Sequence, residues 1–437
     1  MGRTVIRGGS VVTMDPDAPY FADGTVVVKG NRIVWIGATA DHISRAGDIE
    51  IDASRAVVLP GLVNLHYHTD LGKAAGESNE RKPMWDLLFD DWYPFLGQLT
   101  DEEAYWAAMA SYAESVRNGT TTLNDMYVQS AARARAAREI GVRTVLSNEI
   151  ATAETGIDTV ADNIAACESI GGAPGDLIRI FFGIEWLPCA TPGILSEVRE
   201  AATEFGTGIH IHLNESISEV EDSLERFGKR PAQLAYDLGF FGPDVVAAHC
   251  VHLDDVEIRY LAEAGTHISH NPASNSYLGN GIARANDFRS AGINVGLGSD
   301  EGFGSDLFEV MRWASYLHRA TSRDIYARTS AESLIMATVN GSRALGQETG
   351  ILRSGLIADL ILVDVDQVKF AMMDRSRGDE VVEFMVNQAC GADVSLSMID
   401  GEIVMRGRRL TKVDETEIFE NAGRALRNAG ARIAATN

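Results

Sequence analysis

Basic residues are scarce in this chain: 38 Lys and Arg stand against 62 Asp and Glu, a formal net charge of -24 over 437 residues. Neutralising phosphates takes clustered Lys and Arg, so a nucleic-acid partner is not expected. The acidic balance otherwise speaks only to solubility. Cysteine is rarer still. Cys167, Cys189, Cys250 and Cys390 are far apart and show no C-x-x-C spacing, which suits a reduced, cytoplasmic setting. No window approaches the roughly 18 uninterrupted apolar residues of a membrane span. The opening "MGRTVIRGGSVVTMDPD" lacks the basic region, apolar core and cleavage site of a signal peptide. Nothing is low-complexity or linker-like. With 45% hydrophobic and 23% charged residues, the chain can bury one large core, or one core plus a smaller one.

Residues 1–59 hold short alternating strands, "RTVIRGGSVVTM" and "GTVVVKGNRIVWIG", with Lys29-Gly30-Asn31 as a tight turn. The texture returns in "GLIADLILVDVD" and "DVSLSMIDGEIVMRGRRL", where Asp400-Gly401 supplies a hairpin turn. The two chain ends, 1–59 and 356–412, are therefore expected to pair into one small β-sandwich domain, and 413–437 reads as a polar closing helix suited to subunit contacts. Between them, over 60–355, apolar runs alternate with helical patterns. The strand candidates are 62–66, 120–125, 143–147, 178–184, 208–212, 245–249, 266–270 and 293–299. Eight strands in strict alternation with helices predict an α/β fold, a parallel (β/α)8 barrel of the TIM type.

Active-site residues of such barrels sit at the C-terminal ends of the strands. "PGLVNLHYHTD" ends its strand on His66 and His68, two residues apart and so on one face. "GIHIHLNES" brings His210, His212 and then Glu215. His212 can hold a metal while Glu215 leans over what is bound there; His210 is read as packing or hydrogen-bonding. "VVAAHCVHL" ends on His249, with His252 beyond it, the next strand ends on His270, and "INVGLGSDEG" places Asp300 at the barrel mouth. A single buried histidine is ordinarily a satisfied core residue, but that reading fits the set poorly. Three histidines and a carboxylate with one position left open form a catalytic rather than structural metal arrangement.

"PGLVNLHYH", "HIHLNES", "AAHCVHL", "SHNPASNSYLGNGIA" and "GLGSD", in that order, resemble the amidohydrolase superfamily, in particular its branch of amino-heterocycle deaminases and triazine chlorohydrolases. "GLIADLILVD" resembles the return of that group to its flanking sheet. The resemblance implies that His66, His68, His212 and Asp300 hold one divalent metal ion, zinc first, with iron or manganese as alternatives. It implies Glu215 as proton shuttle and His249 as the residue that contacts the hydroxide. No lysine stands at the end of the fourth strand, "IRIFFGIEW", so a second ion bridged by a modified lysine is not expected. The implied reaction is hydrolytic release of ammonia from an amino-substituted N-heterocycle. A metal acidifies water to near ~7, Asp300 takes its proton, and Glu215 protonates the ring nitrogen. His249 stabilises the developing oxyanion. The same site would serve an alternative, a triazine-type hydrolase expelling chloride or an alkylamine, or a cyclic amidase. A barrel that only binds a small ligand would not need Glu215 and His249 beside a full ligand set. Relatives in this group are commonly dimers or tetramers, which implies a homo-oligomer.

Substrate choice belongs to the loops. Nucleoside-deaminating relatives typically carry Gly-Pro-His after the fourth strand, whereas here "GIEWLPC" places Glu185 and Trp186. Glu301 follows Asp300, with Asp306 close by. The segment after the paired histidines brings Lys73, Glu77, Glu80, Arg81 and Trp85, with Trp92 further on. Each charge alone reads as a solvated loop residue. Trp85 and Trp92 are expected to wall the pocket or pack a helix. Glu185 and Glu301 together, with Trp186 beside them, predict a pocket that accepts hydrogen bonds. Such a pocket favours an amino-rich or cationic ring (an aminotriazine, aminopurine, pterin or cyclic guanidine) over adenosine.

Overall fold

A computed structural model of the chain describes residues 2–69, 82–171, 176–300 and 305–436. Nine strands from the two chain ends form a single sheet. Arg3–Val12 pairs antiparallel with Tyr20–Lys29, which pairs with Arg32–Ala38 across the Gly30-Asn31 turn. Ala56–Pro60 joins this group to Leu360–Asp364, and from there the sheet runs through Val394–Ile399 and Glu402–Arg406 to Arg409–Leu410. Alternate residues of these strands, among them Ile6, Val26, Ile33, Val58, Leu360 and Met398, bury into a core of their own. That pattern is what a period of two gives when one face is covered.

Two parallel sheets lie between the chain ends. One has four strands in the order Leu62–Tyr67, Thr120–Met126, Arg143–Ser147 and Ile178–Ile180. The other has five, in the order Phe182–Ile184, Ile209–Leu213, Val245–His249, His267–His270 and Val295–Leu297. The run expected as one strand over 178–184 divides at Phe181. Its N–H completes the pairing with Arg143–Ser147, donating to Leu146 O at 2.8 Å. The next N–H, of Phe182, donates to Gly208 O at 2.9 Å beside Ile209–Leu213. Opposite that break, Asp300 N–H donates to His66 O at 3.0 Å, in a parallel bridge between Tyr67 and Asp300. Helices separate most successive strands, and their apolar faces pack with the outward residues of the strands in the largest core. In Ile209–Leu213 the outward set is Ile209, Ile211 and Leu213. His210 and His212 occupy the other face.

The closing helix, Glu415–Thr436, buries Ile418, Ala425 and Ala429, and Arg432 pairs with Glu103 on the helix Asp101–Arg117. No described helix is long and apolar enough to cross a membrane. All four cysteines are free thiols.

Candidate active site

The strand ends converge their polar residues. His66 lies within its strand, His68 just beyond it, His212 one residue from the end of its strand, and His249 at the last position of its own. Asp300 follows Val295–Leu297 by three residues. All five side chains are buried. Donor atoms of His66, His212, His249 and Asp300 lie within 4.8 Å of one another. His68 joins them, its Nε2 at 3.1 Å from His212 Nε2 and 3.4 Å from Asp300 Oδ1.

The backbone is bent to make this possible. His249, Cys250 and Asp300 have φ of 70°, 53° and 64°, and Asn214, before Glu215, has 48°. Non-glycine residues in that region cost about 1–3 kcal/mol each and cluster where a site over-determines them. Close approach does the rest: a β-carbon on Gly298 would fall 2.7 Å from His66 Cβ, so only glycine lets the last strand bring Asp300 beside the first.

Outer hydrogen bonds set which nitrogen faces the centre. His68 Nδ1 donates to Met126 O at 2.6 Å, and His249 Nδ1 to Asn275 Oδ1 at 2.8 Å. A carbonyl oxygen only accepts, so each Nδ1 carries the proton and each Nε2 keeps its lone pair. His66 Nδ1 meets His210 Nε2 at 2.9 Å, and His210 Nδ1 reaches Ser147 Oγ at 3.4 Å. His210 thus stands behind His66, the hydrogen-bonding role expected for it. Burial pushes His66 down to about 3 against the pull of Asp300, and holds His210 and His212 well below the usual imidazole range. These rings are neutral. Asp300 is held well below the carboxylate range: burial works against ionisation, but the imidazoles of His66 and His249 outweigh it.

Nε2 of His66 and of His249 are buried without a hydrogen bond, although Asp300 Oδ1 is only 3.1 Å from the first. Lone pairs and a carboxylate aimed at one point form a group that a cation would satisfy. The group is suited to one divalent metal ion, and the mixed imidazole and carboxylate donors match zinc.

Glu215 sits beside this centre. Ser216 caps the helix Ile217–Phe227, and Glu219 in its first turn folds back to accept the N–H groups of Asn214 and Glu215 at 3.0 and 2.7 Å. The Glu215 carboxyl is left facing inward, its Oε1 accepting from Asn280 Nδ2 at 3.0 Å and 3.7 Å from His249 Nδ1. Burial, and then the charge of Asp300, pushes it up to about 8. It holds a proton at neutral pH.

Glu185 is close, but behind His212. Its Oε1 accepts from Tyr93 O–H at 3.0 Å, and its Oε2 is 3.6 Å from His212 Nδ1. This placement takes from the cationic-ring argument one of its two carboxylates; the other, Glu301, lies outside the described residues, as do Lys73, Glu77, Glu80 and Arg81. Trp85 packs on Trp186 at 5.2 Å and on Phe89 at 5.1 Å, forming an aromatic group with the buried Tyr93. Trp92 packs on Phe95. Asp306 caps the helix Leu307–Ser322. His270 turns away from the centre to meet His318 at 3.2 Å.

Sequence reasoning left Ser274, Asn275 and Asn280 without roles, although they stand in the "SHNPASNSYLGNGIA" stretch. Ser274 O–H donates to Asp300 Oδ2, while the two asparagines hold His249 and Glu215. Glu149, 3.4 Å from His68 Nδ1, was also missed; its signal was a carboxylate just past a buried strand.

The amidohydrolase family model matches residues 57–404. The chain belongs to the amidohydrolase family. It is a hydrolase acting on carbon–nitrogen bonds other than peptide bonds. Among its relatives is a 5'-deoxyadenosine deaminase of Methanosarcina mazei, 36% identical, with 99% of this chain and 100% of that protein covered. A 5-methylthioadenosine/S-adenosylhomocysteine deaminase of Thermococcus onnurineus is 34% identical, with 93% and 95% covered. The fold is that of an adenosine deaminase from Xanthomonas campestris solved with bound zinc, at TM-score 0.89 and 26% identity over 98% of both chains. It is also that of an atrazine chlorohydrolase from Arthrobacter aurescens complexed with zinc. At 23% identity and TM-score 0.88, over 97% of this chain and 100% of that one, the latter likeness speaks to the fold alone.

Proposed function

We propose that this amidohydrolase deaminates the adenine ring of a small nucleoside, at the mouth of a closed (β/α)8 barrel whose halves are the two parallel sheets. Hydrolytic deamination of an amino-substituted N-heterocycle is the activity of the chain. The adenine-type substrate is the finer reading. The observation that carries it is a buried Glu215 carboxyl, held by Asn280 and 3.7 Å from His249, beside the histidine and aspartate group, in a chain similar end to end to deaminases of adenosine derivatives. The engagement of Glu185 by Tyr93 and His212 removes an argument for a cationic ring.

His66, His68, His212 and Asp300 would hold the metal ion, which when bound supplies an acidified water near neutral pH. Asp300 would serve as the base through Oδ2, which faces His249 Nε2 at 3.7 Å. His249, neutral and fixed by Asn275, orients the attacking oxygen through Nε2 and stabilises the charge that grows on it. Glu215 gives its proton to the ring nitrogen next to the carbon under attack, because breaking aromaticity without that proton leaves an unstabilised anion. Asn280 keeps the carboxyl aimed by holding Oε1. Asp300 would return its proton to the departing amine. As ammonia leaves, the proton still on the added oxygen would pass to Glu215, which restores the acid and leaves a ring carbonyl. Trp85 and Trp186 offer an aromatic wall for the ring.

The test is ammonia release by zinc-loaded protein from adenosine, 5'-deoxyadenosine, 5-methylthioadenosine and S-adenosylhomocysteine. Guanine, a pterin, a diaminotriazine and a cyclic guanidine are run beside them. The expected result is turnover of the adenine nucleosides at least tenfold above the other rings. A preference for the diamino or guanidine-like rings overturns the adenine reading.

A further inference from the structure

Glu185 directly follows the strand Phe182–Ile184, and its surroundings define its work. Its backbone N–H donates to Ile150 O at 3.1 Å, which fixes where the side chain starts. The side chain is buried. Tyr93 O–H occupies Oε1, and Oε2 makes no hydrogen bond. His212 Nδ1, equally buried, makes none either, and the two atoms are 3.6 Å apart.

Each of the other three imidazoles at the centre has its outer nitrogen bonded: His66 to His210, His68 to Met126 O, His249 to Asn275. For His212 Nε2 to offer a lone pair to an ion, Nδ1 must carry the proton. A buried N–H without an acceptor is costly. Closing the gap by roughly half an ångström or more brings the pair to ordinary hydrogen-bond length.

We propose that Glu185 is the positioning residue for His212: a carboxylate, itself held by Tyr93, that fixes the ring and its tautomer and strengthens His212 as a metal ligand. This rests on the reading of His212 as a ligand. Carboxylates behind ligating histidines act in this way, and removing one typically costs 10–100-fold in metal affinity.

Zinc affinity, measured by competition with a chelator series, and the visible spectrum of the cobalt(II)-substituted protein separate this role from substrate contact. Glu185→Leu is expected to hold zinc about 10–100-fold more weakly and to shift the cobalt bands. Glu185→Gln, whose amide oxygen still accepts from Nδ1–H, should stay within roughly fivefold of the parent. Tyr93→Phe, which frees the carboxylate without removing it, should fall between the two and guards against misfolding of the leucine variant. If Glu185→Leu and Tyr93→Phe keep the parent's zinc affinity and cobalt spectrum, the positioning role is wrong. A parent protein that takes up no stoichiometric zinc overturns the metal-centre reading itself, and this inference with it.

Discussion

His68 Nε2 and His212 Nε2 face each other at 3.1 Å, with the two imidazole planes parallel to within 2°. Because Met126 O takes the proton-bearing Nδ1 of His68, the nitrogen turned to His212 is a bare lone pair. With the proton of His212 on its Nδ1, both Nε2 lone pairs are turned to one point, where a shared cation would take them. Metal analysis of purified protein is expected to give one divalent ion per chain, zinc for choice. His66→Ala and His212→Ala should each lose the ion and the activity together. Two tightly held ions per chain would contradict a single-ion site.

Glu215 belongs to the chemistry and not to the ion. Its carboxyl is committed to Asn280 and faces the centre as a proton holder. Glu215→Gln should therefore retain the metal while turnover falls by roughly 10² or more, the usual worth of a positioned acid–base group. Loss of the ion in this variant would move Glu215 among the ligands. Near-normal turnover would remove it from the reaction.

Much of this was legible along the chain because strand ends carry their own signal. Val245–His249 and Arg143–Ser147 stand where the β-branched and apolar runs put them, and the period of two placed His210 and His212 on one face. The interruption at Phe181 had no glycine or proline to announce it. Nor did the left-handed turns at His249, Cys250 and Asp300, since His and Asp enter that region more often than most residues but only as isolated positions that no local pattern marks. The role of Glu185 was hidden for a different reason. Tyr93 precedes it by 92 residues and His212 follows it on another strand. A local reading could place the carboxylate at the barrel mouth but not see which way it turned.

His318 gives the fold a dependence on acid. It is 4% exposed, packed against His270 and near Arg328, and burial followed by that guanidinium pushes it down to about 4. The unfolded chain binds this proton near ~6.5. Between those values the unfolded state holds more protons than the folded one, so stability is fully present above ~6.5 and lost as pH falls toward 4, by about 2–3 kcal/mol. Urea denaturation from pH 7.5 to 4.5 should show this slope, and His318→Gln should flatten it by up to about 1.4 kcal/mol per pH unit. An unchanged slope would assign the acid sensitivity to other histidines.

Arg133 ties the chain segment that holds His68. Its guanidinium is fully buried and donates to the carbonyls of Asp125, Tyr127, Val128 and Ser147, as well as to Asp125 Oδ2 at 3.0 Å. Asp125 Oδ2 also accepts from Thr69 and Tyr112. Among residues 125–128, the carbonyl that Arg133 leaves free is that of Met126, the acceptor for His68 Nδ1. Breaking a buried ion pair from one side leaves an unpaired charge, at a cost of about 3–5 kcal/mol. Arg133→Met and Asp125→Leu should each destabilise zinc-loaded protein by that amount in urea denaturation. The double variant removes both charges at once and should cost clearly less than the two single losses combined. Single variants that cost under about 1 kcal/mol, within the range of an exposed pair, would show that the guanidinium does not hold this segment and that His68 is positioned by its strand alone.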